Sequence, residues 1–185
     1  MPADGHFHAV RFYEDGPALC RIVAAFIGQG LAAGEPVVVV ATPEHRAEIQ
    51  RVLGAAGSNG RPLGPAPDLT FLDAEDLLAL LMVDGMPQRT RFEPLLGDVL
   101  RTVRGSRIGC RVRIYGEMVD LLWHDGRQQA AIHLEMLWNE LASREDFALL
   151  CGYGMGTFCK AATLEAVHAQ HTHIVVEDGT ALALG

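Results

Sequence analysis

Cations are in the minority in this chain. Lys and Arg number 15 against 23 Asp and Glu, for a formal net charge of −8. Binding a phosphate backbone needs clustered cations, so a nucleic-acid surface is not expected. The densest arginine group (Arg101, Arg104, Arg107, Arg111, Arg113) spans a helix end and a strand rather than one face. It reads as a solvated edge, with an anion contact as the lesser alternative. No apolar run reaches the length of a membrane span, and Met1-Pro-Ala-Asp-Gly-His6 has no basic region leading into an apolar core. A cytoplasmic protein is expected. The four cysteines (Cys20, Cys110, Cys151, Cys159) lack CxxC spacing and sit in apolar contexts, as reduced, buried thiols do. HExxH is missing, and none of Ser58, Ser106 or Ser143 lies in a Gly-x-Ser-x-Gly elbow. Cys151 stands at a strand end beside Gly152, where a reactive thiol could sit, but a core role is the expected one.

What is present is an ordinary globular balance, 49% hydrophobic and 21% charged, over 185 residues. That suits one domain with a core of its own. Residues 1–5 read as a flexible leader, 6–176 as the domain and 177–185 as a flexible tail. Strand His6–Tyr13 ends at the turn Glu14–Pro17. A helix follows through Leu19, Ile22, Val23, Phe26, Ile27 and Leu31, at spacings of three and four. Pro36–Ala41 is a continuous apolar run, the mark of a central parallel strand buried on both faces. Thr42 and Pro43 are an N-cap and a first helical residue for Glu44–Leu53, and the breaker-rich stretch 54–68 is a surface loop. Beyond it come strand Leu69–Leu72, helix Ala74–Met82 capped by Asp73, a break at Val83–Pro87 and helix Phe92–Val103. Strand Gly109–Ile114 then turns through Tyr115-Gly116-Glu117 into a helix bearing Met118, Val119, Leu121, Leu122 and Trp123. Helix Gln128–Ala142, strand Phe147–Cys151, a short helix from Thr157 to about His168, and strand His171–Val176 complete the order. Strict alternation of this kind predicts a three-layer α/β sandwich with a mainly parallel central sheet.

In such sheets ligands sit outside the carboxyl ends of the strands. Glu117 is the first carboxylate expected to face a crevice there; the plainer alternative is that it only caps its helix. The first strand–turn–helix, Phe12-Tyr-Glu-Asp-Gly-Pro17, is where a phosphate-binding loop would lie. It has one glycine, no Gly-Lys-Ser/Thr and two carboxylates, which would repel a phosphate, so ATP hydrolysis there is not expected. Aromatic and methionine residues near strand ends suggest a mostly apolar pocket with a few polar groups. Among Phe12, Tyr13, Tyr115, Trp123, Trp138, Tyr153, Phe158, Met82, Met86, Met118 and Met155, those beside strand ends are the candidates. The ligand-binding set is therefore Tyr13, Glu14, Tyr115, Glu117, Tyr153 and Met155, with no catalytic residue. Alternation puts His6 and His8 on one strand face, and His171 and His173 on one face of another. Either pair with a carboxylate could hold a transition metal. Structural hydrogen bonding, which would serve His168 as well, is the expected role, and no metal is expected.

Several segments carry a family resemblance. They are His8-Ala-Val-Arg-Phe-Tyr-Glu14, Phe26–Glu35 with Val37–Thr42 and His45-Arg46, Leu72-Asp-Ala74, and Met82-Val-Asp-Gly85. Tyr115-Gly-Glu-Met-Val-Asp-Leu-Leu-Trp123, Leu134–Leu141 and Phe147–Tyr153 complete the set. In this order, over about residues 6–176, they resemble the MEDS domain, the sensory domain of methanogen and methylotroph regulators that include a dichloromethane-responsive repressor. The resemblance implies a sensory, non-enzymatic module for small hydrocarbon derivatives. Such modules work with histidine kinases, other regulatory kinases or DNA-binding domains. The layout is also similar to the RecA/KaiC-like ATPase core, with Phe12–Pro17 in place of the P-loop. No output domain lies within these residues, so the chain is expected either to act through a partner in a two-component or transcription-regulating system or to be a piece of a larger regulator. No cofactor is required on this reading, and self-association is left open. The expected mechanism is ligand-induced ordering of the loops near Tyr13–Glu14, Tyr115–Glu117 and Gly152–Met155. The rival readings are a degenerate RecA-like domain that binds a nucleotide without hydrolysis, and a pure protein-interaction module.

Overall fold

The structure, a computed structural model, describes residues 6–55, 68–157 and 161–184. Expectations for the leader 1–5, for most of the loop 54–68, and for Phe158 and Cys159 lie outside them. The chain alternates β1 (His8–Tyr13), α1 (Gly16–Ala32), β2 (Val37–Ala41), α2 (Pro43–Ala55), β3 (Leu69–Asp73) and α3 (Ala74–Leu81). A hairpin of β4 (Met82–Val83) and β5 (Met86–Pro87) precedes α4 (Arg89–Arg104), β6 (Val112–Gly116), α5 (Met118–His124) and α6 (Gln128–Ala142). Then come β7 (Phe147–Gly154), a single 3₁₀ turn (Met155–Thr157), α7 (Ala161–His168), β8 (His173–Val175) and β9 (Ala181–Ala183).

Seven strands form the main sheet in the order β3-β2-β6-β7-β1-β8-β9, parallel throughout except for the β8–β9 pair. This is the three-layer α/β architecture that the alternation predicts. The valines of β2 explain its central place. Val37 to Val40 are at most 1% exposed, with Val37 and Val39 facing one apolar layer and Val38 and Val40 the other. Burying each valine contributes about 1.5–3 kcal/mol, so a charge at any of them would open the core. The layer on one face joins α1 and α2 to Ala9, Val37, Val39, Tyr115 and Leu150. The opposite layer joins α3 to α6 to Val10, Val38, Val40, Leu149 and Tyr153, with Trp123 and Trp138 at its heart.

The structure departs from expectation in two places. The break after α3 is a two-residue hairpin turn: Asp84 (φ 48°) and Gly85 (φ 84°) both take the left-handed conformation that such turns demand. Residues 177–184, expected as a tail of weak order, instead turn back and add β9 to the edge of the sheet. The arginine group is also resolved into pairs. Arg101 meets Asp98, Arg104 meets Glu145 (2.9 Å), Arg107 meets Asp68 (2.9 Å), Arg111 meets Asp146 (2.9 Å) and Arg113 meets Glu35 (2.7 Å). Each guanidinium thus has a carboxylate for its anion. Among the described residues no helix is long and apolar enough to cross a membrane.

Candidate functional site

After β1 and β2 the chain leaves the sheet towards the α1/α2 face; after β6 and β7 it leaves towards the other. Adjacent strands whose exits diverge open a crevice at their carboxyl ends, here between β3 and β2, between β2 and β6 and between β7 and β1. The β2/β6 and β7/β1 crevices are each filled by a buried carboxylate.

Glu117, the residue after β6, is 2% exposed. It occupies the N-cap position of α5 but makes no side-chain bond to that helix. Its side chain crosses to the β2 loop instead. Oε2 accepts from the Thr42 N–H (2.9 Å), and Oε1 from the Tyr115 hydroxyl (2.8 Å) and the ring of His45 at Nδ1 (2.7 Å). Glu117 therefore spends its side chain on the β2 loop and Tyr115 rather than on capping α5. His45 lies in the first turn of α2, and the bond to Glu117 raises its pKa from 6.5 against the opposing effect of burial. Its ring passes over Gly16, where a Cβ would stand 3.0 Å from Nε2. Tyr115 is fully buried, and its phenol is pushed well above the usual range by burial and by Glu117. A Cβ on Gly152, on the neighbouring strand, would come within 2.8 Å of the Tyr115 hydroxyl, so glycine is what admits the phenol.

Asp120, one turn into α5, serves the second crevice. Oδ1 accepts from the Gly154 N–H (2.7 Å) and Oδ2 from the Tyr13 hydroxyl (2.7 Å). It is 6% exposed, and burial raises its pKa despite both bonds. Four residues on, His124 brings Nε2 to 3.5 Å from Oδ1, its side chain 49% exposed. The rings of Tyr13 and His45 meet edge-on at 6.0 Å and join the two halves. The geometry is thus two buried carboxylates, each holding an imidazole at the rim, with His45 22% exposed.

Of the residues expected from sequence, Tyr13, Tyr115 and Glu117 come together here. Glu14 lies exposed in the loop after β1, and Met155 is half-buried just past β7. Tyr153 does not join them: it faces the opposite layer, where its hydroxyl donates to Glu135 (2.8 Å). His45, Asp120 and His124 were not singled out as site residues, although the i, i+4 spacing of Asp120 and His124 is a visible signal. Of the expected histidine pairs, His6 and His8 do lie side by side (ring centroids 6.0 Å), but the closer partnership of His8 is with another strand's entry. His8 and His171 face each other, ring centroids 4.2 Å apart, whereas His6 packs on Phe147 and His173 on Phe7.

At the start of α1, Asp15 Oδ2 accepts the Ala18 N–H (3.1 Å) and Pro17 has no N–H to give. A carboxylate therefore sits where a phosphate would be cradled.

A mainly parallel sheet in this order, with helices on both faces and such a first loop, is a RecA/KaiC-like fold without a P-loop. The chain is similar to the crystal structure of KaiC-like protein PH0186 from the hyperthermophilic archaeon Pyrococcus horikoshii OT3. The match has a TM-score of 0.54 and 13% identity over 90% of this chain and 70% of that one, a likeness of fold. Residues 7–172 match the model of the MEDS family, the MEthanogen/methylotroph, DcmR Sensory domain. The chain belongs to that family of sensory domains. No curated protein sequence matches it.

Proposed function

We propose that this sensory domain binds a small molecule at the carboxyl edge of its sheet and signals occupancy to a partner kinase or transcription regulator, without transforming the ligand. The observation that carries the reading is the pair of carboxylate–imidazole units, Glu117–His45 and Asp120–His124, at two adjoining switch points. Glu117 spends both oxygens on internal donors, so it positions groups rather than meeting the ligand. His45, His124 and the Tyr13 ring are left to make contact. Glu14, Asp15, Glu117 and Asp120 crowd the same edge, which favours a neutral or cationic ligand over an anion. A small oxygenated or halogenated hydrocarbon fits that polarity. The Asp15 cap weighs against a bound nucleotide.

The signal follows from differential affinity: a ligand held between the loops after β1, β2 and β6 selects the arrangement in which they are closed together. Thermal denaturation against a panel of short alcohols, alkyl halides and amines tests the proposal, with native mass spectrometry on the same samples. A compound that raises Tm and adds its mass to the wild-type chain, but not to a His45→Ala/His124→Ala variant, supports it. Equal effects on both chains, or none with any compound, would turn the reading towards a ligand-free docking module.

A further inference from the structure

The opposite layer holds a second polar group that the proposed ligand site does not use. Glu135 lies within α6, its side chain wholly buried. His8 Nε2 is 3.1 Å from its Oε2 and His171 Nε2 is 3.3 Å from its Oε1. Cys151 Sγ is 3.5 Å from Oε2 and 3.5 Å from His8 Nε2. One donor atom from each of the four residues lies within 4.8 Å of all the others.

The surrounding hydrogen bonds fix where the imidazole protons are. Asn139 Nδ2 donates to the Gln170 carbonyl (2.9 Å), which turns Asn139 Oδ1 towards His8 Nδ1 (2.9 Å). His171 Nδ1 faces the Val167 carbonyl (2.7 Å). Both partners are acceptors, so both Nδ1 atoms carry hydrogen. In the neutral rings each Nε2 then aims a lone pair at a carboxylate oxygen, and His171 Nε2 has no hydrogen-bond partner. Lone pairs and an anion repel unless positive charge stands between them. Protonating both rings would put two imidazoliums 4.2 Å apart in a dry interior. Protonating one ring alone would leave the other lone pair facing the carboxylate, whereas a single divalent cation answers both.

We propose that His8, Glu135, Cys151 and His171 form a binding site for a divalent transition metal, with zinc the expected ion. Two imidazoles, a thiolate and a carboxylate are a donor set that zinc takes in tetrahedral geometry. With bonds of about 2.0–2.3 Å, the edges of such a tetrahedron are roughly 3.3–3.8 Å. The His8–Glu135, His171–Glu135, Cys151–Glu135 and Cys151–His8 separations of 3.1–3.5 Å are close to that range, His171 meeting the other oxygen of Glu135. The set as a whole, within 4.8 Å, closes on the ion when it binds. Asn139 and the Val167 carbonyl supply the outer hydrogen bonds that hold ligating imidazoles in one tautomer. A bound cation ionises the Cys151 thiol, as a coordinated thiol requires. Four protein ligands leave no open position, so the site is structural. It ties β1, α6 and β7 to the segment entering β8, joining the two ends of the domain.

The test is metal analysis of the full chain, followed by exchange of the bound ion for Co²⁺. About one zinc per chain is expected, recovered after chelation and reloading, with Tm falling on chelation and returning with zinc. The cobalt form should show a thiolate-to-cobalt charge-transfer band and strong tetrahedral d–d bands. Cys151→Ser should lose the first, and His171→Gln should weaken retention at least tenfold. Should either variant fail to fold, the wild-type spectrum still decides. A folded wild-type chain that retains neither ion, or binds Co²⁺ without a thiolate band, would overturn the proposal and leave a hydrogen-bonded polar cluster.

Discussion

His45 Nδ1 lies 2.7 Å from Glu117 Oε1, across 72 residues of sequence. The pair joins the loops after β2 and β6, and Thr42 and Tyr115 complete the bonds to the same carboxylate. That join couples the two loops. Whatever pulls His45 outward must also loosen Glu117, and with it the entry to α5.

Glu117→Gln keeps the shape but presents an amide hydrogen to groups that already donate. The expected cost is about 1–3 kcal/mol of folding stability. It should appear as a lower urea midpoint at unchanged m-value. An unaltered midpoint would mean that the carboxylate is not the acceptor described.

The pH dependence has a definite sign. His45 has a folded pKa raised above 6.5 by its bond to Glu117. Its contribution to stability is therefore full below that value and is lost as the pH rises through the raised one. The stability difference between wild type and His45→Gln should shrink from mildly acidic to mildly alkaline buffer, measured by urea unfolding at each pH. A difference that grows instead would contradict the assignment.

Two glycines of β7 should respond differently to alanine. At Gly152 a Cβ would meet the buried Tyr115 hydroxyl at 2.8 Å, so Gly152→Ala should cost about 1–3 kcal/mol through overpacking. At Gly154 it would meet the tip of the exposed His124 at 2.8 Å, and that side chain can swing away. Gly154→Ala should therefore leave the thermal midpoint closer to wild type than Gly152→Ala does, while displacing His124 from Asp120.

The fold was legible because its strands announce themselves. Val37–Ala41 is an unbroken apolar run between Pro36 and Thr42-Pro43, and the Asp73 cap marks the start of α3 as expected. Glu117 was legible for the same reason, since a strand, a glycine and a helix start place it at a sheet edge. Its partners were not, because Thr42 and His45 reach it only through the pairing of β2 with β6. Tyr153 shows why parity matters. Tyr115 pairs with Leu150, so Tyr153, three residues on, falls on the opposite face, although both tyrosines stand near strand ends. The histidines carry the same lesson. Spacing suggested pairs within one strand, whereas parallel pairing of β1 with β8 brings His8 to His171.

Binding at the carboxyl edge is best tested by mapping it residue by residue. A ¹H–¹⁵N correlation spectrum would be recorded while titrating the compound that gives the largest rise in Tm. Shifts should concentrate at the amides of Glu14, Thr42, Glu117, Gly154 and Met155, and be reduced in Glu117→Gln. A different groove, of about 330 Å³, lies on the α1 face among Phe7, Phe26, Arg113 and Leu150. Shifts concentrated there, and unchanged in Glu117→Gln, would contradict a ligand site at the carboxyl edge of the sheet.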